Sequence, residues 1–270
     1  MKLSRFTKGG LALFATLVVI FLIAPLLVII LFAFDASNVQ TFPIHHWTLS
    51  WFSVAWHDPA VRSSLWLSVK AGVLATVIAL ILGTLVAFGI HRFRFFGRDS
   101  VSLLLVLPIA LPGIVTGLAL QSAFNLAGIP FSLYTIIIGH ATFCIVVVFN
   151  NVVARLRRSS MSLIEASADL GASPVQTFRL VTMPMLSTAI IAGALLAFAL
   201  SFDEVIVTTF TAGAQNTLPL WIFGAIRLGQ QLPEVNAVVV GVLILTLAPI
   251  AYAARISSGE RVGTSVRSTS

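Results

Sequence analysis

Charge is the scarcest property of this 270-residue chain: charged residues make up 9% of it, against 58% hydrophobic ones. A soluble domain carries about 25% charged residues, so that class is excluded. Mean hydropathy is +1.04. Cysteine occurs once, at Cys144. A lone cysteine excludes an intrachain disulfide, and no Cys/His spacing of a metal site accompanies it. Inside an apolar run it reads as a packing residue. No G-x-x-x-x-G-K-[ST] phosphate loop occurs, so no nucleotide site of that kind is present. No internal repeat is evident. Strict alternation of apolar and polar residues is also missing, which argues against a membrane β-barrel.

What is present is a set of long apolar runs, at about 11–34, 71–90, 101–124, 133–154, 188–210 and 235–254. Each is near the ~20 residues that span a bilayer as a helix. The chain therefore reads as an all-α polytopic membrane protein of six transmembrane helices, forming one membrane domain over 1–270. The first run is longer than the apolar core of a secretory signal, so it is read as an uncleaved first helix. The short tail after Arg255, rich in Ser, Gly and Thr, is expected to be disordered.

Thirteen of the 16 basic residues flank the runs on one side. These are Lys2, Arg5 and Lys8; Arg92, Arg94 and Arg98; Arg155, Arg157, Arg158 and Arg179; Arg255, Arg261 and Arg267. Only Arg62, Lys70 and Arg227 lie on the other. The positive-inside rule puts both termini, and the polar loop at about 159–184, in the cytoplasm. This bias accounts for the net charge of +7 and leaves no reason to invoke nucleic acid. The longest outer stretch, 35–64, holds Phe42, Trp47, Trp51, Phe52 and Trp56. It reads as a segment lying at the bilayer surface, or else as a ledge for an extracytoplasmic partner. His45, His46 and His57 in it read as solvated loop residues.

The polar loop is punctuated. Ser162 with Glu165 has the spacing of a capping box, and Ser173 with Gln176 has it again, with Pro174 suited to the first helical position. Gly171 sits where a helix of about two turns would end in a left-handed residue. Pro184 removes a backbone donor and marks a break or kink. Two short helices around a glycine elbow are expected. In EASADLGASPVQTFRLVTMP, from Glu165 to Pro184, the spacing resembles the EAA loop of bacterial ABC importer permeases. Ser167 replaces its third small residue, and Val181 and Met183 replace Ile and Leu. The resemblance implies a type I permease fold whose coupling loop docks on an ATP-binding subunit through Glu165, Ala166, Ser167, Asp169, Gly171 and Pro184.

Two spans carry unusual residues. LPIALPG places Pro108, Pro112 and Gly113 in the third run, so that helix is expected to be kinked, either to line a pathway or for packing alone. The fifth run carries Asp203 and Glu204. A charge at a span's centre costs about 2.5–3.5 kcal/mol on insertion scales. Helical spacing puts Ser201, Glu204, Thr208 and Thr211 on one face, with Asp203 roughly 100° away. No lysine or arginine in another run neutralises them. They form either an anionic track for a cationic solute or an early helix end at the outer surface.

LPIALPGIVTGLAL, GHATFCIVVVFNNVVARLRR and FALSFDEVIVTTFTAG are similar to the spermidine/putrescine-type permeases of ABC importers, in particular the second, shorter permease. With the loop, the likeness runs from Leu65 to Pro249. It implies a heterodimer with a sister permease, ATP-binding subunits, a periplasmic binding protein, a multi-pass place in the bacterial inner membrane, and no cofactor. It also implies a polyamine path at Ser201, Asp203 and Glu204, which the polar stripe extends to Thr208. Relatives move other solutes. A proton-coupled secondary transporter is a rival that the elbow loop and the lack of further intramembrane acids disfavour. A membrane enzyme is another, but His140 stands alone in its span and reads as a packed, hydrogen-bonded residue.

Overall fold

A computed structural model describes residues 4–93, 95–159 and 162–246. These fall into two compact units, one made of the residues up to Arg62 with those from Gly224 on, the other of Ser63–Phe223. The expectations for the C-terminal tail and for the second half of the sixth run lie outside the described residues.

In the first unit, α1 (Arg5–Ala33) starts at Ser4, whose hydroxyl accepts from the Thr7 amide at 3.1 Å. Among the described residues its membrane-length window is exposed. The outer segment that follows is tied down locally. Trp51 on α2 (Ser50–His57) donates its indole N–H to the Asp35 carbonyl at 2.8 Å, and the Phe34 and Phe52 rings lie 5.2 Å apart. Trp47 and Trp56 remain exposed, as boundary aromatics do.

In the second unit, α3 (Pro59–Arg92) and α6 (Leu133–Arg158) cross closely. Small residues recur every fourth position on α3, at Ala79, Gly83 and Ala87. A Cβ on Gly83 would lie 2.9 Å from the Ile145 carbonyl oxygen. Close backbone approach through small residues is how membrane helices associate when lipid is as apolar as their side chains. α6 is the most buried span. Its Phe149 and Val152 form one apolar cluster with Ala79, Ala87, Leu186 and Val207. Cys144 belongs to that cluster, fully buried, with its thiol directed at the Ala197 carbonyl; it is a packing residue.

Among the described residues, four helices are long and apolar enough to cross a membrane, or five when a bent pair is counted as one span. The bent pair is the third run. Its halves, α4 (Arg98–Ala110) and α5 (Gly113–Leu126), meet at 104°, sharper than the expected kink. Leu111 is extended, with ψ 145°, because a residue before proline is pushed out of the helical region. The fifth run also differs from expectation. It does not run unbroken over 188–210 but as α9 (Met183–Phe202), a break at Asp203–Val205, and α10 (Ile206–Thr211). α11 (Leu218–Leu228) follows. The sixth run begins as α12 (Leu232–Thr246).

Candidate functional site

The polar loop folds as an elbow. α7 (Ser162–Asp169) ends in a Schellman motif. The Ala172 amide donates to the Ser167 carbonyl at 3.1 Å and the Gly171 amide to the Ala168 carbonyl at 2.9 Å, the paired bonds that cap a helix through a left-handed residue. Gly171 has φ +82°. The chain then restarts at Ser173, whose hydroxyl accepts from the Gln176 amide while the Gln176 side chain accepts from the Ser173 amide at 2.8 Å. That is the expected second capping box. Ser167 and Thr177 hydroxyls share a hydrogen bond of 2.5 Å across the elbow. The serine that departs from the EAA pattern is thus a clamp that alanine could not make.

One expectation for the loop is corrected. The second helix is not short. α8 (Pro174–Thr177) passes through a π-helical turn at Phe178–Thr182 straight into α9. Pro184 lies at the start of α9. The wider turn precedes the missing donor, and the helix continues through it without interruption. Ser162 is the first residue of α7 and Glu165 lies in its first turn, the two residues of the first expected capping box. Glu165, Ala166, Asp169 and Gly171 are exposed on the elbow. So are Leu163 (54%), Leu170 (89%) and Val175 (74%).

The acidic segment sits at the break in the fifth run. The Glu204 carboxylate accepts from the Val207 amide at 2.9 Å and so caps α10. The Thr208 hydroxyl donates to the Glu204 carbonyl at 2.6 Å. Asp203 ends α9 and is exposed. Ser201, Thr208 and Thr211 do not form an open stripe. All three are buried against α6, where Ser201 and Thr208 flank His140 and the Thr135 hydroxyl donates to the Thr211 carbonyl at 2.7 Å. The expected continuous polar face is lost because the helix breaks after Phe202. Asp203 is the acid presented outward, and Glu204 is half-engaged as a cap.

His140 and Thr135 were not legible as partners of this segment. Their sequence distances from it are 61 and 76 residues, and only the polar character of two residues in an apolar run hinted at a role. A further acidic pair was also missed: Glu234 near the start of α12 is buried beside Asp58.

The model of the family "binding-protein-dependent transport system inner membrane component" matches residues 79–256. The chain is similar to the putrescine transport system permease protein PotI of Escherichia coli K12, at 36% identity across 80% of this chain and 79% of that one. It is similar to the spermidine/putrescine transport system permease protein PotC of the same strain, at 31% identity across 92% of each. Its likeness to PotC of Haemophilus influenzae is 33% across 74% of this chain and 80% of that one. Among solved structures, a bacterial ABC transporter involved in the import of the acidic polysaccharide alginate matches with a TM-score of 0.68 at 18% identity, covering 94% of this chain and 99% of that one. That likeness shows the fold. With the elbow loop and the family match over residues 79–256, the chain belongs to the inner-membrane permease components of binding-protein-dependent ABC importers.

Proposed function

We propose that this permease moves polyamines of the putrescine and spermidine type into the cytoplasm, as one of two unlike permease subunits. A partner ATPase supplies the energy and a periplasmic binding protein delivers the solute. The chain itself performs no chemistry. Both termini and the elbow face the cytoplasm in this reading, consistent with the 13-to-3 split of basic residues.

One observation carries the coupling role. The elbow is rigid, with a Schellman motif, a capping box and a hydroxyl clamp, yet it exposes Leu163, Leu170 and Val175. A partner that buries these side chains gains about 1.5–3 kcal/mol from each, enough to seat a docking surface. Because α8 runs without interruption into α9, a push on the elbow is delivered to the helix that ends at Asp203. The cation preference rests on Asp203 and Glu204, whose attraction for an ammonium group strengthens as the local dielectric falls. Similarity to PotI and PotC supports the same solute class.

Uptake of labelled putrescine and spermidine by cells with and without this chain tests the solute. No difference between them refutes the polyamine reading. Co-purification of an ATPase that is lost when Leu170 and Val175 are replaced by aspartate tests the elbow.

A further inference from the structure

We propose that His140 is a positioning residue that latches both halves of the broken fifth span to α6, so that the acidic segment between them moves with α6 when the elbow is driven. The inference rests on reading Asp203 and Glu204 as part of the solute path.

The latch follows from the hydrogen bonds. His140 Nε2 lies 2.8 Å from the Thr208 hydroxyl on α10, and Nδ1 lies 2.7 Å from the Ser201 hydroxyl in the last turn of α9. The Thr208 hydroxyl already donates its hydrogen to the Glu204 carbonyl, so toward His140 it can only accept. Nε2 must therefore carry a proton. A neutral imidazole then has Nδ1 free to accept, and the Ser201 hydroxyl donates to it. One ring thus spans the two sides of Asp203, Glu204 and Val205, using each nitrogen once. His140, Ser201 and Thr208 are all 2% exposed or less, so water does not compete for these bonds.

Neighbouring contacts make the attachment stiff. The Thr135 hydroxyl, its one hydrogen shared between the Ser132 and Thr211 carbonyls, joins α6 to α10 a second time. A Cβ on Gly139 would lie 3.2 Å from Val207 and 3.3 Å from Thr211, so α6 and α10 are in backbone-close contact there. From His140 to Arg158, α6 is unbroken and about 27 Å long at 1.5 Å per residue. At that far end the Arg155 Nε donates to the Met185 carbonyl at 2.9 Å, just past the π-helical turn. α6 and α9 are therefore fastened to each other at the elbow end by Arg155 and at the acid end by His140. Motion entering at the elbow reaches the break through two fastened rods instead of one. A break in a span is the place where such motion would otherwise be lost, because backbone hydrogen bonds do not carry across it.

The test replaces His140 with phenylalanine in the assembled transporter reconstituted in proteoliposomes. The ring volume is kept, and the two hydroxyls can turn to the carbonyls four residues back, as Thr208 already does. We expect assembly and basal ATPase activity to persist, and polyamine moved per ATP hydrolysed to fall by about tenfold, the shift implied by losing one to two net hydrogen bonds. The substrate concentration at half-maximal uptake stays unchanged. His140→Gln, which keeps one donor and one acceptor, should recover part of the ratio; a role in packing alone would favour phenylalanine over glutamine. Wild-type coupling by His140→Phe overturns the latch. Should that variant fail to assemble, Thr208→Val removes the α10 anchor alone, and wild-type coupling there overturns it equally. Asp203→Asn, run alongside, reports on the path reading by itself: an unchanged half-saturating concentration refutes the path, whereas a raised one with normal coupling in His140→Phe refutes only the latch.

Discussion

Gly171 should respond to substitution through its backbone alone. Its φ is +82° and a Cβ built on it meets nothing within 4 Å. No clash can therefore contribute, and the cost is that of a left-handed residue, about 1–2 kcal/mol for a side chain other than glycine. Asparagine tolerates that region and should cost least, alanine more, and β-branched valine most. What opposes the strain is local: the two Schellman bonds, and the Ser167–Thr177 clamp, each contributing about 0.5–1.5 kcal/mol net. A valine thus removes much of what keeps the elbow in one geometry. A shift of 1–2 kcal/mol changes a conformational ratio by roughly 5–30-fold. Polyamine uptake and polyamine-stimulated ATPase activity should fall together, in the order asparagine, alanine, valine, while the amount of protein in the membrane stays constant. Gly171→Val with normal uptake, or the reverse order of the three, would refute the reasoning.

Gly83 should behave in the opposite manner, since its Cβ would strike the Ile145 carbonyl oxygen at 2.9 Å; Gly83→Val should lower the amount of folded protein in detergent and its melting temperature. Glu204→Gln keeps an acceptor for the Val207 amide but removes the charge, so cationic uptake should weaken several-fold without loss of assembly. Asp203→Asn, at the exposed acid, should have the larger effect on half-saturating polyamine concentration, and wild-type kinetics in both variants would take the acids out of the path. Ser167→Ala removes the clamp to Thr177 and should cost the elbow about 1 kcal/mol, seen as faster amide exchange at Gly171 and Ala172. A phosphatase fused to the C-terminus should be inactive in the proposed orientation, with that end in the cytoplasm, and an active fusion would overturn that orientation.

The sequence by itself determined the features that depend on neighbours a few residues away. Apolar run length set the class and located most of the spans. Ser173 with Gln176 and Pro174 specified a helix start, and Gly171 a left-handed stop, because caps are satisfied within one turn of where they are written. The π-helical turn before Pro184 was less legible, since proline marks a disturbance without saying how the helix absorbs it. The third run showed its prolines but not a bend of 104°.

Tertiary structure alone decided the acidic segment. Helical periodicity placed Ser201, Glu204, Thr208 and Thr211 on one open face, and that held only if the helix continued. A break in a span is tolerated when other groups satisfy the freed backbone. Here Glu204 and Thr208 do so from within the segment, while Ser201 and Thr208 are held by His140 from 61 and 68 residues away. Nothing local to residues 201–211 records that partner. Which of two adjacent acids faces outward, and which caps a helix, was fixed by packing against α6.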